Sequence, residues 1–214
     1  LKKDVTESAN IAIGHTRWAT HGGVTVANAH LHKSANNKFA LVHNGVIENY
    51  LDVKSKYLSD IDFKSQTDTE VLLELFTKLY DETKSINIAF VKLFEIVHGS
   101  FACLIIDLEE PNKLYTMKNK TPMLIGKGDG FFTIASDPSA TYDIVGEFYR
   151  LEDYEFCIID AENNTVELSN KIGNVKEVKF EEIQIDDFIL ELGDHDHFMI
   201  KEIEEQPNVI KNII

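Results

Sequence analysis

Cysteine is scarce: Cys103 and Cys157 are the only two in 214 residues, each inside an apolar stretch, FACLII and YEFCII. A pair so placed excludes the disulfide framework of a small secreted domain and points to reduced, structural thiols in a cytoplasmic protein. Proline is scarcer than a linker requires, with four residues in all, and no Pro/Ser-rich tract, low-complexity segment or internal repeat divides the chain. No apolar run approaches the length that spans a bilayer, and the opening LKKDVTES has no signal-peptide hydrophobic region. Positive charge is the minority sign, 21 Lys and Arg against 36 Asp and Glu, leaving a formal net charge of -15. Such a chain repels phosphate backbones and anionic lipid surfaces, so neither nucleic acid nor membrane is expected as a partner. The first residue is Leu1 rather than methionine, so further sequence is expected upstream.

What is present describes a folded protein. Hydrophobic residues at 43% and charged residues at 27% exclude a disordered chain, and without a linker one large domain is the economical reading. NIAIGH, residues 10–15, places Ile11 and Ile13 on one side of an extended segment. Residues 16–37 are polar and histidine-rich with Gly22 and Gly23, which predicts a long structured loop of the kind that carries function. FALVH, residues 39–43, reads as a short buried strand, Asn44-Gly45 as a turn dipeptide tolerant of positive φ, and Val46, Ile47, Tyr50, Leu51, Tyr57 and Leu58 as a helix starting directly afterwards. Thr67-Asp68-Thr69-Glu70 fits a capping box ahead of Val71, Leu72, Leu75, Phe76 and Leu79. A third helix is expected over Ile88 to Val97, stopped at Gly99. From 101 to 180 the pattern changes to short β-rich runs separated by Pro, Gly, Asn and Asp, which predicts several mostly antiparallel strands. The stretch 201–214, KEIEEQPNVIKNII, has amphipathic spacing broken at Pro207 and reads as a connector. The class is α+β, antiparallel sheet layers covered by helices.

Residues able to do chemistry concentrate in GHTRWATHGG, residues 14–23. Arg17 offers a planar fork of donors suited to a carboxylate, with a surface salt bridge as the bland alternative. Trp18, the only tryptophan, serves equally well as a core anchor. In HNG, residues 43–45, the Asn44 side-chain amide and the Gly45 N–H can converge on one oxygen as an oxyanion hole, or the dipeptide can be a turn chosen for its φ angles. Asp68 at a helix start can cap the helix and also hold an ammonium. His30-x-His32 and His195-x-His197 put imidazoles on one face of an extended segment, but neither pair has a partner set at metal-ligand spacing, so no metal is expected. GKGDG, residues 126–130, lacks the Lys-Ser/Thr and helix of a phosphate loop and reads as a hairpin turn.

GHTRWATHG, NAHLH, LVHNGVIEN, SQTDTE, IASDPSA and KEIEEQPNVIKN, in this order and over nearly the whole chain, resemble the class II glutamine amidotransferase domain of the glutamine:fructose-6-phosphate aminotransferase (isomerising) family, the glucosamine-6-phosphate synthases. The resemblance implies the N-terminal-nucleophile hydrolase fold, a four-layer αββα sandwich with antiparallel sheets. It implies that Arg17, Thr20 and His21 bind the α-carboxylate side of L-glutamine, that Asp68 holds its α-ammonium, that Asn44 and Gly45 form the oxyanion hole, and that Trp18 gates ammonia passage. No metal or organic cofactor is implied. The glutaminase domain would span residues 1–200, and 201–214 would connect it to a C-terminal sugar-phosphate isomerase domain of the same polypeptide, homo-oligomeric when full length. Ammonia released from glutamine would serve the conversion of fructose 6-phosphate to glucosamine 6-phosphate. This sequence departs from the family in one respect: the N-terminal nucleophilic cysteine and the strand that follows it are not in it, so the first strand is expected to be missing and the chain to be inactive alone. Two alternatives carry different implications, the glutaminase domain of another class II amidotransferase and a non-catalytic glutamine-binding module.

Overall fold

The computed structural model describes residues 9–17, 22–182 and 195–213. The chain divides into two compact units, 1–183 and 184–214. The first unit contains, in chain order, β1 (His32–Lys33), β2 (Phe39–Ile47), α1 (Tyr50–Tyr57), α2 (Asp68–Thr83), α3 (Ile86–Ile96), β3 (Gly99–Asp107), β4 (Lys113–Asn119), β5 (Leu124–Lys127), β6 (Phe132–Ala135), β7 (Glu147–Arg150), β8 (Glu155–Asp160), β9 (Thr165–Ser169), β10 (Val175–Lys176) and β11 (Glu181–Glu182). Its strands form a seven-stranded sheet in the order β1-β2-β3-β4-β8-β9-β10 and a four-stranded sheet in the order β11-β7-β5-β6. Every pairing is antiparallel, and the β5–β6 turn is the hairpin expected of GKGDG, closed by Gly128 N–H donating to Phe131 O.

Strand alternation sorts the core into two halves. Along β3, Phe101, Cys103 and Ile105 join the cluster under the helices with Leu72, Phe76, Phe90 and Phe94, whereas Ala102 and Leu104 join the cluster shared with Met123, Ile125 and Ile134 of the smaller-sheet region. Phe156 and Cys157 in β8 divide the same way. Burial on both faces is why these strands read as unbroken apolar runs. The described residues therefore supply a helical layer, the large sheet and the small sheet of the sandwich.

Helix α2 is buried nearly all round, from Asp68 to Thr77 without a break, because it lies against β2 with α1 and α3 beside it. Polar groups there need partners, since an unsatisfied buried one costs about 1–3 kcal/mol. Glu74 accepts from Ala35 N at 2.7 Å, and Thr77 Oγ1 donates to Leu73 O at 2.8 Å. Half of the expected capping box forms: Thr67 is the N-cap and its hydroxyl accepts from Glu70 N at 3.2 Å. The Glu70 carboxylate turns instead to the preceding loop, accepting from Lys64 N at 2.8 Å and Ser65 N at 2.6 Å.

Four local expectations change. Asn44-Gly45 is not a turn: β2 runs through it, because the ladder with β3 continues unbroken from Phe39 opposite Asp107 to Ile47 opposite Gly99. Helix α1 consequently starts at Tyr50, with Val46 and Ile47 held in the sheet. NIAIGH adopts no ladder pairing among the described residues; Asn10, Ile11 and Ala12 instead line a cavity with Leu114, Phe132 and Ile134 at the intersheet side. In the second unit, α4 (Phe198–Ile213) continues through Pro207 rather than breaking there, forgoing one main-chain donor.

Candidate active site

The end of β2 and the start of α2 meet at one cavity of about 160 Å³, walled by His15, Thr16, Arg17, His30, His43, Asn44, Gly45, Thr67, Asp68 and Thr69. A larger cavity, about 440 Å³, is the one lined by Asn10, Ile11, Leu114 and Phe132. Its walls carry no titratable side chain, so chemistry is assigned to the smaller one. Among the described residues no group of three or more His, Cys, Asp or Glu is arranged to hold a metal ion.

Gly45 is what lets β2 pass this point. Its φ is +119°, and a Cβ there would lie 1.9 Å from Ser100 O, so only glycine fits. Asn44 beside it is exposed, and its side-chain oxygen lies 2.6 Å from His15 Nε2. Asp68 is the first residue of α2 rather than its cap. The residue is 3% exposed, and its carboxylate points to β2, accepting from Ile47 N at 2.8 Å. That bond uses one of the carboxylate's several acceptor sites and fixes its direction. Arg17 reaches the same cavity and donates through Nη1 to Gly23 O at 3.1 Å. A guanidinium and a carboxylate on the walls of one small cavity complement the two charges of an α-amino acid.

Beneath these groups lies a closed ring of hydrogen bonds. His43 N donates to His30 Nδ1 at 3.4 Å, His30 Nε2 lies 3.1 Å from Thr69 Oγ1, and Thr69 Oγ1 lies 3.1 Å from His43 Nδ1. Accepting at Nδ1 requires a neutral His30 to carry its proton on Nε2, which donates to Thr69, whose hydroxyl then donates to His43. His30 is kept neutral: burial first, then the charges of His15, His32, His43 and Arg17, lower its pKa to about 3. Burial also lowers the pKa of His32, whose Nε2 meets Thr67 Oγ1 at 3.1 Å. His30 and His32 are thus bound to threonine hydroxyls.

Of the residues singled out in the sequence, Arg17, Asn44, Gly45 and Asp68 come together at the cavity, while Trp18, Thr20 and His21 lie outside the described residues. His195 stands in the second unit and bonds Glu204 Oε2 at 3.0 Å. Cys103 and Cys157 are fully buried, and burial raises both thiol pKa values, so neither presents a thiolate. His15, His43 and Thr69 carry no individual signal in the sequence. HNG and NAHLH held a signal for the network, but its members meet only through long-range strand pairing.

The profile of a family described as "Glutamine amidotransferase domain" matches residues 15–143. The chain is 44% identical over 211 residues to a glutamine–fructose-6-phosphate aminotransferase (isomerizing) of Geobacillus kaustophilus, covering 99% of this chain and 35% of that protein. It is 41% identical over 208 residues to the enzyme of the same name from Staphylococcus epidermidis, covering 97% and 34%. The chain therefore spans about a third of the length of these curated relatives. Among solved structures, a glutamine phosphoribosylpyrophosphate amidotransferase from B. subtilis, complexed with ADP and GMP, superposes with a TM-score of 0.61 at 23% identity over 75% of this chain and 35% of its own. A structure titled as the allosteric regulatory enzyme of purine biosynthesis gives 0.62 at 24% over the same shares. At such identities the likeness establishes the fold alone, the N-terminal-nucleophile hydrolase fold with its antiparallel sheets.

Proposed function

This chain belongs to the glutamine amidotransferase domain family, and on that premise we propose that it is the glutamine-hydrolysing part of an enzyme converting fructose 6-phosphate to glucosamine 6-phosphate. The observation that carries the reading is the convergence of Arg17, Asn44, Gly45 and Asp68 on one cavity. Arg17, with Thr20 and His21, takes the α-carboxylate side of glutamine, and Asp68 takes the ammonium. The Asn44 amide and the Gly45 N–H then face the side-chain carbonyl oxygen, where negative charge develops. Trp18 gates the passage of ammonia.

The nucleophile is the one part these residues do not supply, since both cysteines are buried in the sheet. In the working enzyme a cysteine leading an upstream segment supplies it. Its thiolate attacks the amide carbon, and the tetrahedral oxyanion collapses with cleavage of the C–N bond. The departing nitrogen takes a proton and leaves as ammonia, and water hydrolyses the glutamyl thioester to glutamate. Ammonia passes to a sugar-phosphate isomerase domain in the same homo-oligomeric, cytoplasmic polypeptide, with residues 1–200 as glutaminase and 201–214 as the connector.

The test is glutamate release from glutamine by the 214-residue chain and by the same chain behind a cysteine-led segment. The chain alone should give no turnover above buffer and the extended chain should give it. Turnover by the chain alone that disappears on Asn44→Ala would overturn the assignment of the nucleophile. Binding without turnover in both would reduce the protein to a glutamine-binding module.

A further inference from the structure

His15 is a wall of the cavity that the reaction above leaves without a task. Its Nε2 sits 2.6 Å from Asn44 Oδ1, short for a nitrogen–oxygen hydrogen bond. Its Nδ1 is buried and has no hydrogen-bond partner among the described residues. An imidazole protonated on Nε2 accounts for both, with the proton donated to Asn44 and the bare lone pair on Nδ1. The ring is held in place from behind: the His30 ring lies against it at 4.2 Å between centroids, tilted 37°, and His30 is itself pinned by His43 N and Thr69 Oγ1.

The direction of this bond decides what Asn44 can do. The terminal torsion of asparagine is broad and two-fold, so on an exposed position its carbonyl and NH2 ends exchange at little cost. An oxyanion hole needs the NH2 end. With Oδ1 bound to an N–H of His15, Nδ2 is left for the cavity; with the amide reversed, its donor would be spent on the imidazole. We propose that His15 is a positioning residue, whose Nε2–H holds Asn44 Oδ1 and thereby aims the Asn44 amide protons at the carbonyl oxygen of glutamine. This rests on the oxyanion role of Asn44 and adds to it the residue that sets its orientation.

The experiment is a double-substitution cycle on glutamine hydrolysis in the cysteine-led full-length enzyme, with His15→Ala, His15→Gln, Asn44→Ala and His15→Ala/Asn44→Ala. His15→Ala should lower kcat about tenfold, a part of the hundredfold or more that loss of an oxyanion donor costs, with KM for glutamine unchanged within about twofold. His15→Gln keeps a neutral N–H donor and should recover most of the rate. Once Asn44 is alanine, removing His15 should change kcat by less than about twofold, because nothing remains to be aimed. Full activity of His15→Ala, or a loss that multiplies undiminished with that of Asn44→Ala, overturns the positioning role. Unchanged hydrolysis in Asn44→Ala would instead overturn the oxyanion reading itself. The imidazole nitrogen NMR of the unsubstituted 214-residue chain gives a test free of folding effects: a proton on Nε2 of His15 is expected, and a proton on Nδ1 with Nε2 accepting would overturn the proposal.

Discussion

Gly45→Ala is the substitution that separates a strand from a turn at HNG. The added Cβ would meet Ser100 O at 1.9 Å, Ser100 C at 2.8 Å and Phe101 Cα at 2.9 Å. All three are backbone atoms of β3, which is itself paired to β4 on its far side, so the clash cannot be relieved by rotating a side chain. Alanine would also be forced to φ +119°, a conformation costing about 1–3 kcal/mol. Overpacking adds about 1–3 kcal/mol. Together the loss is about 2–6 kcal/mol, a large share of the roughly 5–15 kcal/mol by which domains of this kind are stable. Urea unfolding followed by far-ultraviolet circular dichroism measures it directly. Asn44→Ala is the control: it lies on the exposed adjacent position and should cost about 1 kcal/mol or less. A Gly45→Ala loss below about 1 kcal/mol would refute the reasoning, because an Asn-Gly turn open to solvent would have room for the methyl group.

Glu70→Ala should destabilise by about 2–4 kcal/mol, since three donors on Lys64 and Ser65 lose a charged acceptor in a buried place; a thermal melt unchanged from the parent would contradict the bonding described. His30 has a folded pKa of about 3, below its unfolded value of 6.5, so its contribution is fully present above about pH 6.5 and is lost as pH falls towards 3. Melting temperatures at pH 7 and pH 5 should accordingly drop less in His30→Gln than in the parent. Equal drops would mean that His30 titrates freely.

How much of this was legible in the sequence depends on how local each signal is. Helix α2 announced itself through Thr67 and the spacing of Val71, Leu72, Leu75 and Phe76, and the strands from 101 to 180 through β-rich runs between turn residues. Asn44-Gly45 misled because its turn statistics are local, whereas its pairing with Ala102 and Phe101 is made across three intervening helices. The same pairing delayed the start of α1. Glu70 and Glu74 lie opposite the apolar stripe of α2, yet main-chain donors of Lys64, Ser65 and Ala35 cover them, contacts that no local spacing signals. At the site, Arg17, Asn44, Gly45 and Asp68 stood out through motif resemblance. The ring of His30, His43 and Thr69 did not, because its three members lie far apart along the chain and meet only where β2 and the start of α2 come together.

The central claim, that the end of β2 stabilises an oxyanion of glutamine, is tested most directly by Asn44→Asp in the cysteine-led full-length enzyme, with glutamine hydrolysis and sugar-phosphate isomerisation measured on one preparation. Aspartate keeps the size of the side chain but, ionised, has no proton to donate and sets a negative charge beside a developing one. Glutamine hydrolysis should fall by about a hundredfold or more while isomerisation continues at the parent rate. Hydrolysis retained alongside isomerisation would remove Asn44 from the reaction and contradict the account.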